Sequence, residues 1–308
     1  MTILLLLLTG ASVFSVGGMG EDMAAFRMPF YGPLDKARLE FTLSPEFDIM
    51  TEAGDIRNRF WTNPFLLNFR IPLNKTLALT LGNAERFNQS SDVYLDRDPL
   101  TMHLRADGGV DEVECRINAN LPIAEFFGGG SYIFGASREV WEYDVGDYSA
   151  VDTFQYQYRG RIFSAGLRWR SFGVAYEGLG RVTMVKADAD SAFDLPQRLS
   201  IRLTPAFGTY KLLLEFEHSL WTDNMSPYRV RLGLSRAANR LAYTYNPWYY
   251  NGIQEHGFDA GRVFSIRNIG FIDFDLNVAY RSHGTVKEFK VVPEIKLTLE
   301  EIFSRMKR

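Results

Sequence analysis

The chain is predicted to be all-β: a transmembrane up-and-down antiparallel β-barrel of about 14 strands. Three observations predict it. First, apolar and polar residues alternate with period two in segment after segment, which gives each strand one oily and one charged face. Second, the links between segments alternate, long then short, all along the chain. A meander that crosses a membrane has short turns on one side and longer links on the other, whereas a soluble sandwich has no reason to sort them. Third, aromatic residues, 14% of the chain, gather near both kinds of link, as two interfacial girdles require.

The alternation is clearest from 195 to 249. Leu199, Ile201 and Leu203 oppose Arg198, Ser200 and Arg202. Leu212, Leu214 and Phe216 oppose Lys211, Leu213, Glu215 and Glu217, and Val230, Leu232 and Leu234 oppose Arg229, Arg231 and Gly233. Leu241, Tyr243 and Tyr245 open the next strand. Earlier strands are read at 39–43, 65–71, 77–81, 113–119, 126–137, 154–169 and 172–182, and later ones at 258–266, 272–281 and 289–299. Within 154–169 the oily set changes from Phe154, Tyr156 and Tyr158 to Phe163, Ala165, Leu167 and Trp169, a parity slip that predicts a β-bulge at Gly160. Short links fall at 72–75, 121–125, Ser171, 205–209, 237–239 and 267–268. Long ones fall at 45–63, 85–109, 138–151, 183–195, 220–227, 250–255 and 282–285. Trp169, Phe172, Phe207 and Tyr210 lie by short links, and Trp141, Tyr143, Trp221, Trp248, Tyr249 and Tyr250 by long ones.

Residues 3–8 form an apolar block followed by small residues, so 1–15 reads as a secretory signal peptide. The block falls short of the ~20 apolar residues of a membrane helix, and no later segment reaches that length. Residues 16–35 then read as an irregular N-terminal segment, 36–303 as an outer-membrane barrel and 304–308 as a basic tail. A net charge of −3 with no basic stripe speaks against nucleic acid. The single cysteine, Cys115, lies on an oily strand face and excludes an intramolecular disulfide.

Several short stretches resemble one family. Gly18-Met19-Gly20, Ala24-Ala25-Phe26 with Pro29, the run from Leu195 into Leu199, Asn246-Pro247-Trp248 and Lys287-Glu288-Phe289 are similar to the FadL-type long-chain fatty-acid transporters and to related outer-membrane barrels, secretion-system relatives included. The resemblance covers nearly all of the chain after the signal and is one of pattern. It implies that residues 16–35 are an N-terminal lumenal segment, hatch-like, with a greasy molecule entering from outside, an apolar pocket above the hatch, and a sideways exit through the wall. On that reading Met19, Met23, Phe26, Met28, Phe30 and Tyr31 are the ligand-binding residues. The family's Asn-Pro-Ala hatch motif is replaced here by Met28-Pro29-Phe30.

No catalytic constellation, metal site or cofactor motif is found. The polar faces mix both signs of charge. Arg198, Arg202, Glu215, Glu217, Arg229, Arg231, Asp273 and Asp275 are therefore expected to form a lumenal charge lattice that stabilises the wall. Two readings of function stay open. One is passive uptake of hydrophobic small molecules across the bacterial outer membrane, with lipid and a greasy ligand as partners. The other is a non-transporting barrel that serves as scaffold or shuttle beside a protein partner in a secretion or surface-assembly complex.

Overall fold

The structure, a computed structural model, describes residues 4–5, 21–23, 28, 36–52, 55–62, 66–97, 99–186, 189–220, 227–248, 252–267, 269–284 and 286–300; at 4–5, 21–22, 52, 55–62, 91–97, 186 and 189–193 it describes the backbone alone. Fourteen wall strands follow in chain order. They are β1 (Arg38–Leu43 and Pro45–Glu52), β2 (Asp55–Thr62 and Leu66–Pro72), β3 (Leu77–Asn88 and Ser91–Arg97), β4 (Leu100–Asn120), β5 (Glu125–Val145), β6 (Tyr148–Trp169) and β7 (Phe172–Lys186). The rest are β8 (Ala189–Asp194, Gln197–Leu203 and Ala206–Phe207), β9 (Tyr210–Leu220), β10 (Tyr228–Arg236), β11 (Asn239–Tyr245), β12 (Gln254–Ile266), β13 (Gly270–His283) and β14 (Val286–Glu300). Each pairs antiparallel with its sequence neighbours. The barrel closes where β14 meets β1, with Leu299 opposite Leu39 and Phe289 opposite Ile49. The predicted architecture is the one observed.

The molecule is inside out by the standards of a soluble protein. Leu232, on the outer face of β10, is 44% exposed, whereas its lumenal neighbour Arg229 is 1% exposed and Glu217 is fully buried. Large apolar side chains are normally interior and unpaired charge exterior. The reverse arrangement places the oily face in lipid. Turns of two to four residues join the strands at the short-link side. At two of them Arg170 (φ 52°) and Ala237 (φ 50°) take the left-handed backbone that such hairpins demand.

Among the described residues the long links at 45–63, 85–109, 138–151 and 183–195 are mostly strand, which corrects the expectation that they are loops. β4, β5 and β6 have 21, 21 and 22 residues, about twice the 9–11 that cross a bilayer at ordinary tilt. They project beyond the membrane and turn tightly, Val145 facing Tyr148 across Gly146 and Asp147. A long link in sequence here means a tall wall.

That projection also explains the misread bulge. Even-numbered residues of β6 face the lumen throughout, and its pairing with β5 runs unbroken past Gly160. What changes is the environment. Within the membrane the outer face is oily (Phe163, Leu167); above it the outer face is polar (Gln155, Gln157, Arg159, Arg161). There the inner face, with Tyr156, Tyr158 and Ile162, becomes a water-excluding core. A strand that keeps its geometry but changes solvent inverts its pattern without any slip. The true irregularity is in the β6–β7 ladder. Arg161 pairs with Arg181 and Phe163 with Gly178, so Leu179 and Gly180 together stand opposite the single residue Ile162, one residue in excess, and Leu179 takes φ 55°.

Of the aromatics expected near long links, Trp141 and Tyr143 share the lumenal parity of Ile133, and Trp248 is buried at 7% exposure. Trp221, Tyr249 and Tyr250 lie outside the described residues. The outward aromatics at that level are instead Tyr132, Tyr228 and Tyr280. On the short-turn side Trp169, Phe172, Phe207 and Tyr210 do face outward. Cys115 does as well, and is exposed toward lipid.

Candidate conduit in the lumen

The lumen has two unlike halves. In the half walled by β3–β8 a bulge sets the arrangement. The β3–β4 register shifts between Glu85, opposite Asp111, and Phe87, opposite Val110. Arg86 is the extra residue, and the kink turns both Arg86 and Phe87 inward, each fully buried. The Arg86 guanidinium reaches across to β7, donating to Glu177 Oε2 at 2.8 Å and also to Oε1, and lies 3.7 Å from Glu112. Above it Phe87, Val110, Ile133, Tyr158, Ile162, Val182 and Leu195 pack into one apolar cluster. The Tyr158 hydroxyl accepts from Gln89 Nε2 at 3.1 Å and lies 3.2 Å from Ser137 Oγ. This half is filled.

The bulge also holds residues 21–23. Glu21 and Asp22 lie opposite Asn88 and Phe87, and the Met23 amide donates to the Arg86 carbonyl at 3.0 Å. They occupy the edge of β3 that faces β2. The lower part of β2 pairs with residues 78–82 of β3, whereas among the described residues Asp55–Thr62 pairs only with β1. The wall thus carries a seam above Gly82, with residues 21–23 laid along one of its edges.

The half walled by β9–β14 is hollow, and its sequence explains why. One cross-strand row runs Leu213, Gly233, Ala242, Asp259, Asn277, Val292. The next row up includes Gly257 and Ala279, and the next row down Gly261. Small side chains at these inward positions leave a cavity of about 650 Å³. Its apolar lining comes from Met23, Leu66, Leu213, Ala242, Ala279 and Val292, and charged side chains ring it. Most of those charges are paired. Arg231 bonds Asp259 at 2.9 Å, Arg240 bonds Asp273 at 2.6 Å and also Asp275, Arg281 meets Glu255 and, at 3.1 Å, Glu288, and Lys290 meets Glu46 at 2.6 Å. Paired charges present dipoles rather than one sign of field, so the cavity has no strong preference for an ion.

The residues singled out from the sequence fall as follows. Glu217 lies between Arg229 (2.8 Å) and Arg198 (3.5 Å), and Glu215 between Arg202 and Arg231 (3.7 Å). Asp273 and Asp275 share Arg240. Of these eight, Arg231 and Asp275 line the cavity. Among the residues expected to bind ligand in a hatch, Met23 lines it as well and Met28 is half-buried; Met19, Phe26, Phe30 and Tyr31 lie outside the described residues. Sequence reasoning missed Arg240, Asp259 and Lys290 as lattice members. Carrying the period-two count one residue further would have found them, since Arg240 shares its face with Ala242 and Asp259 opposes Phe258.

No family model matches the chain, and no curated protein matches it in sequence. Solved structures do match. The chain is similar to the CymD monoaromatic hydrocarbon channel (TM-score 0.51, 10% identity, covering 87% of this chain and 89% of that one). It is also similar to the Pseudomonas putida toluene transporter TodX (TM-score 0.54, 10% identity, 87% and 90%) and to a TodX deltaS2 mutant (TM-score 0.53, 8% identity, 92% and 93%). At these identities the likeness is one of fold. The FadL-type architecture read from the sequence holds at that level.

Proposed function

We propose that the protein is a passive channel of the bacterial outer membrane that admits hydrophobic small molecules, with the tall-walled side facing outward. The observation that carries this reading is the hollow half-lumen, an apolar-floored cavity that reaches the N-terminal segment through Met23 and the β3 bulge through Glu85. A cavity of this size suits a small ligand. The printed names of the similar barrels, hydrocarbon channels and a toluene transporter, support the same class of solute. Residues 16–35 are the hatch on this reading, with Met19, Met23, Phe26, Met28, Phe30 and Tyr31 as its greasy contacts. Methionine and aromatic side chains adapt to variable apolar shapes.

The test is uptake of labelled toluene and of a labelled long-chain fatty acid by cells that carry the protein, cells that carry Ala242→Phe, and empty cells. Uptake that rises with the protein and falls with the filled cavity supports the channel. Equal uptake by all three cell lines would replace it with the scaffold reading.

A further inference from the structure

The outer surface carries a feature that transport does not use. Arg159, Arg161 and Arg181 stand together on the outer faces of β6 and β7, all exposed. Arg159 and Arg161 share one face of β6, and Arg161 lies directly opposite Arg181 across the β6–β7 ladder. Like charges in directly opposed positions destabilise a sheet unless something neutralises them. Asp194 stands opposite Arg181 on β8, and Asp111 lies beyond Phe134 on β4. Among the described residues, no carboxylate is within ion-pair distance of any of the three guanidiniums.

The opposition is built by the backbone. Below the bulge the outward residues of β7 are Val174 and Tyr176; the one extra residue at Leu179–Gly180 shifts the parity, so that Arg181 faces outward and Val182 enters the lumenal cluster. Without the bulge Arg181 would point inward.

Height is the second argument. Arg161 stands eight residues above Trp169, the last residue of β6 on the short-turn side. At ordinary rise and tilt eight residues climb about 20 Å, close to the top of the ~25 Å apolar band of such barrels. The side chains around the cluster agree. Phe163 (49% exposed) and Leu179 (76%) lie below it, and Tyr132 and Phe134, rings stacked at 6.2 Å, pair with Arg161 and Arg159. Above come Gln157, Gln155 and Arg138. The three guanidiniums therefore lie at headgroup level, directly over lipid-facing aromatics.

The geometry points to a binding site for a phosphorylated lipid headgroup of the outer leaflet, a phosphomonoester held by Arg161 and Arg181 with Arg159 at its side while the acyl chains lie along Leu179, Phe163 and Tyr132. Guanidinium and phosphate match as a bidentate, charge-assisted pair. The bulge that opposes two arginines then has a partner for their charge.

The probe is lipid A in detergent micelles, titrated against the purified full-length protein, with dephosphorylated lipid A and inorganic phosphate in parallel. Wild type binds lipid A in a salt-sensitive manner, and Arg161→Gln with Arg181→Gln weakens binding by about tenfold or more. Both side chains are exposed, so the variant keeps the heat-modifiable mobility of a folded barrel; if it does not, Arg161→Lys with Arg181→Lys, which keeps the charge and loses the fork, takes its place and binds at an intermediate level. Equal binding by the variant and wild type overturns the site. Binding of dephosphorylated lipid A as tight as that of lipid A overturns the role of phosphate. Inorganic phosphate that binds as tightly as lipid A assigns the arginines to a free anion and overturns the lipid.

Discussion

The two halves of the lumen use the same kind of wall to opposite ends. Along β3–β8 the inward positions carry Arg86, Phe87, Phe127, Ile133, Tyr158 and Ile162, and the interior closes on itself. Along β9–β14 they carry Gly233, Ala242, Gly257, Gly261 and Ala279 between paired charges, and the interior stays open. Strand geometry is common to both. Side-chain volume at alternate positions decides which half is solid and which can hold a guest, since protein interiors close-pack wherever side chains reach. The filled half also stands taller, because its apolar cluster gives the projecting strands a core of their own above the membrane.

The largest predicted effect breaks the filled half. Arg86→Met removes the cation shared by Glu177 and Glu112 and leaves the buried Glu112 and the partly buried Glu177 without it, at a cost of about 3–5 kcal/mol. Urea unfolding of the barrel in detergent measures this. Phe87→Ala, which opens a void in the apolar cluster, also costs about 3–5 kcal/mol. If either variant unfolds at the wild-type midpoint, the cluster is not what closes this half.

A smaller effect tests which face of the hollow half meets lipid. Leu232→Arg places a charge on the outer face of β10, which costs about 2–4 kcal/mol near the bilayer midplane. Its neighbour Arg231 faces the lumen and bonds Asp259. Arg231→Leu with Asp259→Asn removes both members of that pair and is the milder change. The readout is the fraction of heat-modifiable barrel in purified outer membranes. Leu232→Arg assembling as well as the double variant would overturn the assigned sidedness.

The smallest effect on stability goes with a large effect on passage. Ala242→Phe projects into empty volume, so it shifts unfolding by no more than about 1 kcal/mol, yet it reduces solute uptake toward that of empty cells. A variant that unfolds early and still conducts would mean that the cavity is not the route.

How much of this was legible in the sequence follows from what each strand touches. Within the membrane, period two alone placed Leu232 outside and Arg231 inside, and it identified all 14 wall strands. It failed where solvent changes along a strand. Tyr158 reads as oily and therefore lipid-facing, but above the membrane the oily face is the lumenal one, and the inversion imitates a slip at Gly160. It failed also where a kink redirects the chain, because nothing about Arg86 in one dimension says that it will cross to Glu177, 91 residues away. The cavity was legible only in part: the glycines and alanines of β10–β13 are plain in the sequence, but their alignment in adjoining rows depends on register, which single strands do not state.

The most direct test of the division is thiol labelling in a Cys115→Ala background, comparing Ala242→Cys in the hollow half with Ile133→Cys in the filled half. A small methanethiosulfonate reagent added to the purified, folded barrel should modify Ala242→Cys at least about tenfold faster, because a close-packed interior has no voids that admit it. Equal rates at the two positions would contradict a lumen that is solid on one side and open on the other.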